Sequence, residues 1–444
     1  MLRTESPVTY AAATVVDTMP SQFGQAVSGG PRLQPAEVGE RIVCLDILRG
    51  VALLGVLIAN MRAFSAPAAV YGNITALFSG QLDVIAQYGI LVLVQGKAFT
   101  LFSFLFGAGF ALHLARAESQ GVLTARSFVR RMLALALFGL IHGLVIWWGD
   151  ILLVYALCGM VLVLFRKSSQ RTLIAAICCL TAVAMVLYAR ILLFPSHAPA
   201  GRGVNMADVQ QTIDIFASGS MAAILRENWL QWKASLVGML SPPFGLYPLT
   251  LFLLGVLVAR AGILTRLGEL RPMLKRVCII CLPLGIALNA LTFAGFMFLR
   301  PRADGGLPLL SAVLITCIWL VFVTLAAGYA AAITLVAQDA KWQQRLSPLA
   351  LAGRLALTNY VMQSVLCTAF FYGTGLYGQA GPALGLAMTI SVYALQIAYS
   401  AWWLERFNFG PLEWLWRGLT YGRLPVMRKH SMLAPAVDMR SKPV

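Results

Sequence analysis

Long apolar runs recur through almost the whole chain, and they constrain its architecture more than any other feature. A helix crossing about 30 Å of hydrocarbon needs roughly 20 apolar residues, and backbone in lipid must satisfy its own hydrogen bonds, which favours helices. Runs that qualify lie at 42–63, 96–115, 128–148, 149–165 and 171–194, then at 245–263, 274–298, 308–336, 349–373 and 383–404. They predict an all-α, polytopic membrane bundle of about ten transmembrane helices. Composition agrees, with 59% hydrophobic and 11% charged residues, where soluble domains carry about 25% charge.

Basic residues predict the orientation, because short cytoplasmic loops retain Lys and Arg. Arg116, Arg126, Arg130 and Arg131 follow the second run, Arg166, Lys167 and Arg171 the fourth, Arg260 to Arg276 the sixth, and Lys341, Arg345 and Arg354 the eighth. The turns at Trp147–Asp150 and Gly373–Gly381 contain neither Lys nor Arg. Both termini are therefore expected in the cytoplasm. Residues 1–40 are expected to form a disordered cytoplasmic tail, with the helix opening near Arg41 as an uncleaved signal anchor. Residues 41–405 form the transmembrane bundle, with an amphipathic outer-loop segment at 206–233 lying on the membrane surface, and 406–444 an interfacial helix and tail. The net charge of +17 is spread between apolar runs instead of along one face, which argues against a nucleic-acid partner. All eight cysteines sit in apolar stretches, and Cys278-x-x-Cys281 has no His, Asp or Glu beside it to complete a metal set, so no metal is expected.

Ionisable groups inside spans are costly to bury and mark candidate sites. Asp46 and Arg49 share a helical face near the inner end of the first span, as an interfacial ion pair or a substrate contact. His142 lies about six residues, roughly 9 Å, below the outer end of the third span, and its chemistry suits proton transfer or an interhelical hydrogen bond. His113 faces the inner interface and reads as structural. Asp150 is placed either to orient the imidazole or to cap the next helix. Asn60, Lys97, His142, Asp150 and Gln363 are expected at similar depth, converging on a pocket floored by Asn359. Gly107-Ala-Gly109 reads as a site of close helix packing. No phosphate-binding loop, zinc-protease or nucleophile-elbow motif occurs, which argues against a nucleotide-driven pump.

Leu45-Asp-Ile-Leu-Arg-Gly50 running on to Asn60, Phe104-Leu-Phe-Gly-Ala-Gly109, Leu140-Ile-His-Gly143, Gly353-Arg-Leu-Ala-Leu-Thr-Asn-Tyr-Val-Met-Gln-Ser364, Phe371-Tyr-Gly373 and Gly410-Pro-Leu-Glu-Trp-Leu-Trp-Arg417 resemble the YeiB-type bacterial membrane family and its C-terminal domain of unknown function. The resemblance spans Arg41 to Gly422 and implies a multi-pass protein of the bacterial inner membrane. Asp46, Arg49-Gly50 and Asn60 carry a more distant likeness to transmembrane acyltransferases such as the lysosomal enzyme that acetylates heparan glucosamine. The catalytic histidine of those enzymes follows the asparagine in the next loop, whereas Met61–Gly80 contains none, so His142 would have to substitute from another helix.

Two functions follow. In an acyltransferase, cytoplasmic acyl-CoA is the donor, docked near Arg49, Arg130, Arg131 and Arg354; His142 is the base, Asp150 its orienter, and Asn60 or Gln363 the oxyanion donor. No resident cofactor is implied, and the partners are the bilayer and the small-molecule or acyl-CoA substrate. In a secondary transporter, the same intramembrane polar groups, with Asp46, Arg49, Lys97 and Asn359, bind a solute or relay protons. A scaffold with no small-molecule site is a third reading. Small-residue faces serve intramolecular and homo-oligomeric packing equally well.

Overall fold

A computed structural model describes residues 43–71, 77–119, 124–194, 205–298 and 307–429. The expected tail at 1–40 and the end of the C-terminal segment lie outside the described residues. Regular structure among the described residues is helical. In chain order the helices are α1 (Val43–Ser65), α2 (Gln81–Leu93), α3 (Lys97–Ser119), α4 (Thr124–Ile141), α5 (Leu152–Leu162), α6 (Gln170–Leu193), α7 (Met206–Ser218) and α8 (Met221–Leu240). The second half continues with α9 (Leu246–Arg260), α10 (Arg271–Phe298), α11 (Leu309–Thr316), α12 (Ile318–Ala337), α13 (Ala340–Arg354), α14 (Ala356–Phe371), α15 (Pro382–Arg406) and α16 (Pro411–Tyr421).

Seven stretches are long and apolar enough to cross a membrane: Val43–Ser65, Gln81–Arg116, Arg126–Ile146, Gln170–Leu193, Arg271–Gly295, Leu309–Ala337 and Pro382–Arg406. The remaining three apolar runs form shorter helices, Leu152–Phe165, Leu246–Arg260 and α14. The run at 349–373 is divided at Leu355, which separates α13 from α14. The second run is preceded by an extra helix, α2. Gly96, at φ +82°, turns the chain between α2 and α3 in the left-handed region that glycine adopts without strain.

Reciprocal glycines set three of the helix crossings. A β-carbon at Gly107 would run into the Phe252 backbone, and one at Gly255 into the Phe104 carbonyl, so α3 and α9 meet backbone to backbone. Gly50 against Leu349 and Gly353 against Asp46 do the same for α1 and α13, and Gly285 with Gly328 for α10 and α12. Lipid tails are as apolar as leucine, so close approach and dispersion hold such contacts. Gly109 of the predicted packing pair has only the Arg49 guanidinium near it, so Gly107 makes the crossing.

The segment expected at 206–233 is a helical pair, α7 and α8, running on to Leu240. It caps one end of the bundle: Gly373 and Gly375 donate to the Phe216 and Ala217 carbonyls, and Asn228 donates to the Gly143 carbonyl at 2.8 Å. At the opposite, arginine-rich end, α16 lies against α4, with the Arg131 guanidinium 3.7 Å from the Trp416 ring centroid and Trp416 Nε1 donating to the Arg131 carbonyl.

Candidate functional site: a cavity and a buried Ser-His-Asp chain

A cavity of about 930 Å³ penetrates the bundle from the arginine-rich end. Its charged lining comprises Arg49, Arg116, Arg131, Arg354 and Arg417 against the carboxylates Asp46 and Glu413, so positive charge is in excess, and His113 lies among them. Both acids are engaged. Asp46 Oδ1 accepts from Arg49 at 2.7 Å. Glu413 reaches from α16 to accept from the Leu357 and Thr358 amides and the Thr358 hydroxyl, so it caps α14 across the chain. Burial pushes the Glu413 carboxyl above its ordinary pKa, and those hydrogen bonds pull it back. Deeper, the wall turns aromatic, with Phe99, Phe102, Phe106, Tyr155, Phe322 and Tyr360, and reaches Asn60, Gln95 and Gly149.

His142 sits where α4 ends in a π-helical turn, His142–Ile146, closed by the Trp147 amide on the His142 carbonyl at 2.9 Å. Such turns recur at functional sites. The imidazole is 1% exposed. Its Nδ1 meets Asp150 Oδ1 at 3.0 Å and its Nε2 meets Ser364 Oγ at 2.8 Å. The Asp150 carboxylate also accepts from the Leu152 amide at 3.1 Å and the Leu153 amide at 2.9 Å. It therefore orients the histidine and caps α5 at once. A carboxylate only accepts, so the imidazole donates Nδ1–H and leaves Nε2 as acceptor for the Ser364 hydroxyl. Gly139 permits the geometry, because a β-carbon there would press on the Leu153 amide.

The expected pocket residues divide into separate sets. Asp46, Arg49 and Asn60 line the cavity. His142 and Asp150 lie behind its wall at Gly149, Ile151 and Tyr360; the Tyr360 ring centroid is 5.2 Å from that of His142. Gln363 and Asn359 are not cavity residues. They join α15, Gln363 Nε2 donating to Gln396 at 3.0 Å and Asn359 Nδ2 to Ser400 at 2.9 Å. Lys97 is moved most. The extra helix α2 puts it at an internal break level with Gly55, midway along α1, not at an outer end. Its ammonium donates to the Leu91 carbonyl at 2.9 Å and lies 4.6 Å from the Phe322 ring centroid, unpaired with any carboxylate among the described residues. Arg130 leaves the donor-docking set, since it donates to the Leu419 carbonyl at the surface.

Ser364, Tyr360, Arg116, Arg417 and Glu413 were not among the sequence candidates. Arg417 and Glu413 stand in the quoted Gly410–Arg417 motif and Tyr360 and Ser364 in the quoted Gly353–Ser364 motif; Asp150 precedes the helix it caps, whereas Glu413 caps one that ends some forty residues earlier. Membership of the Gly353–Ser364 motif does not point Ser364 at His142, because a serine inside an apolar helix carries no local sign of its partner.

Comparison with known proteins decides the family. Residues 258–423 match a family described as "Protein of unknown function (DUF418)". The chain is 35% identical over 410 residues to the uncharacterized protein YxaH of Bacillus subtilis, covering 88% of this chain and 96% of that protein. It is 30% identical over 418 residues to the uncharacterized protein YeiB of Escherichia coli, covering 86% and 96% respectively. The chain belongs to the YeiB-type family. The DUF418 region of this YeiB-family protein, 258–423, contributes Ser364, Tyr360, Arg354, Glu413 and Arg417, while His142, Asp150, Asn60, Arg49 and Arg131 come from the first half. Both halves are needed to build either the cavity or the buried chain.

Proposed function

We propose that this protein is an acyltransferase of the bacterial inner membrane, with both termini in the cytoplasm, that transfers an acyl group from cytoplasmic acyl-CoA to an acceptor near the outer face. The observation that carries the reading is the cavity: it joins a mouth with five arginines to an aromatic interior ending at Asn60 and Gln95. CoA offers phosphates to the arginines, and arginine binds phosphate through paired hydrogen bonds. The pantetheine arm and acyl chain offer a long, mostly apolar body to the aromatic wall. This path runs from the basic end to the wall at Gly149, Ile151 and Tyr360 behind which the histidine lies.

In the reaction, an acceptor hydroxyl or amine attacks the thioester carbonyl carbon and its proton passes to His142 Nε2. Asn60 donates to the developing oxyanion. The C–S bond then breaks, and the leaving CoA thiolate takes up the proton. Asp150 holds the tautomer that leaves Nε2 basic, and Tyr360 stands between the imidazole and the cavity as the gate this transfer must cross.

The test is turnover of acetyl-CoA and longer acyl-CoAs by purified protein, read as free CoA thiol and, with added membrane extract, as acylated product by mass spectrometry. Wild type should release thiol, and His142→Ala and Asn60→Ala should not. Binding without thiol release, together with solute movement in proteoliposomes, would instead establish a secondary transporter working through the same cavity.

A further inference from the structure

At the α7–α8 end, away from the arginine-rich mouth, lies a second concentration of polar chemistry. Arg62 Nη1, Tyr71 Oη, Trp147 Nε1, Trp148 Nε1, Tyr372 Oη and Tyr377 Oη are each buried with no hydrogen-bond partner. Buried polar atoms are nearly always bonded, so a cluster of orphans calls for a group to bond them. These are neighbours. The Arg62 guanidinium lies 4.6 Å from the Tyr71 ring centroid, Tyr71 stacks toward Trp148 at 6.5 Å, Trp148 is 5.7 Å from Trp147, and Tyr372 is 5.7 Å from Tyr377. Trp148 lies beside the Tyr372 hydroxyl, close enough to act on it as a donor, and Tyr71 lies near the same hydroxyl.

Each of these six atoms can offer a hydrogen, and one belongs to a cation that makes no ion pair among the described residues, while α8 contributes two unpartnered buried acceptors to the same end, Asn228 Oδ1 and Gln231 Oε1. Burial pushes the Tyr71, Tyr372 and Tyr377 phenols up, so they stay protonated donors. Among the described residues, Glu227 near Tyr377 already accepts from Gln231 at 3.0 Å. The guanidinium and the two indoles only donate, whereas the phenols donate or accept, so a ligand must bring acceptors at least to Arg62 and the indoles; an anionic oxygen cluster takes hydrogens from all six and also answers the Arg62 charge.

We propose that Arg62, Tyr71, Trp148 and Tyr372 form a binding site for a phosphate-bearing ligand, either a lipid headgroup or a soluble phosphate ester, closed over by α7 and α8. Trp147 separates it from the histidine, its ring 6.2 Å from that of His142. The site does not rest on the acyl-transfer reading, because it is a binding site whichever chemistry the cavity performs.

The test is saturable thermal stabilisation of the purified full-length protein, followed by intrinsic tryptophan fluorescence. The probes are inorganic phosphate, glycerol 3-phosphate, dihexanoyl phosphatidylglycerol and, as a neutral control, glycerol, at matched ionic strength. The arginine-rich mouth also attracts phosphate, so the decisive quantity is the part that Arg62→Gln abolishes and Arg131→Gln spares. Arg62→Gln should weaken it by about tenfold or more, and Arg62→Lys should restore part of it. If Arg62→Gln does not fold, the double change Tyr71→Phe, Tyr372→Phe removes two hydroxyls at constant shape and should weaken binding by several-fold. Tighter binding of phosphatidylglycerol than of glycerol 3-phosphate assigns the lipid headgroup, and the reverse a soluble ester. No saturable stabilisation, equal stabilisation by glycerol, or an affinity unchanged by these variants would overturn the site and show that water alone bonds the cluster.

Discussion

Asp150→Ala removes three interactions at once, and its cost follows from their geometry. The carboxylate accepts from the Leu152 and Leu153 amides and from the His142 imidazole, at 3.1, 2.9 and 3.0 Å. Loss of a helix cap costs about 0.5–2 kcal/mol, and stranding a buried donor about 1–3 kcal/mol. Polar bonds inside membrane bundles average lower, about 0.6 kcal/mol each. Alanine should therefore destabilise the protein by about 2–4 kcal/mol. Asparagine has one acceptor oxygen where aspartate has two, so it serves Leu153 or the Leu152–imidazole pair but not both, and should cost about half as much. The assay is reversible unfolding in mixed detergent–SDS micelles, monitored by tryptophan fluorescence. A loss under about 0.5 kcal/mol for Asp150→Ala, the range of an ordinary surface change, would refute the buried three-way role.

Gly107→Leu drives a side chain into the Phe252 backbone, and should cost more than about 2 kcal/mol or abolish monodisperse protein on gel filtration. Lys97→Met removes a fully buried, carboxylate-free ammonium while keeping the chain's length; equal or higher melting temperature is expected, and a lower one would show that the Leu91 and Phe322 contacts outweigh desolvation. Glu413, held above its ordinary 4.5 by burial, binds its proton more tightly folded than unfolded. Its contribution is complete below the unfolded pKa and is lost as pH rises through the folded one. On raising pH from 4.5, wild type should thus lose melting temperature relative to Glu413→Gln; parallel profiles would refute the shift.

Legibility in the sequence followed the range of the interaction. Asp46 and Arg49 are one turn apart, and their pairing at 2.7 Å is readable from helical spacing alone. His142 and Asp150 are eight residues apart across one tight turn, so their contact was an open alternative to capping; the carboxylate's two oxygens satisfy both roles. Ser364 is 222 residues from His142, and although it closes the quoted Gly353–Ser364 motif, nothing local names the histidine as its partner. Lys97 was misplaced because α2 is only 13 residues long and carries Gln87, too short for a rule built on twenty-residue crossings.

The same logic explains why the cavity was not legible although its arginines were. Positive-inside counting places Arg131 and Arg354, and the limits of the first span place Arg49, at one end of their helices, which is a statement about depth. A cavity is a statement about azimuth: which face of each helix turns inward. Here azimuth is set by glycine-to-backbone crossings such as Gly50 on Leu349 and Gly107 on Phe252, pairings that require knowing the partner helix. Once α1 is locked to α13 and α3 to α9, Arg49 and Asn60 open onto the same space as Arg354 and Phe106, whereas Arg130 turns out to the Leu419 carbonyl. Neighbouring arginines at one depth thereby acquire opposite roles.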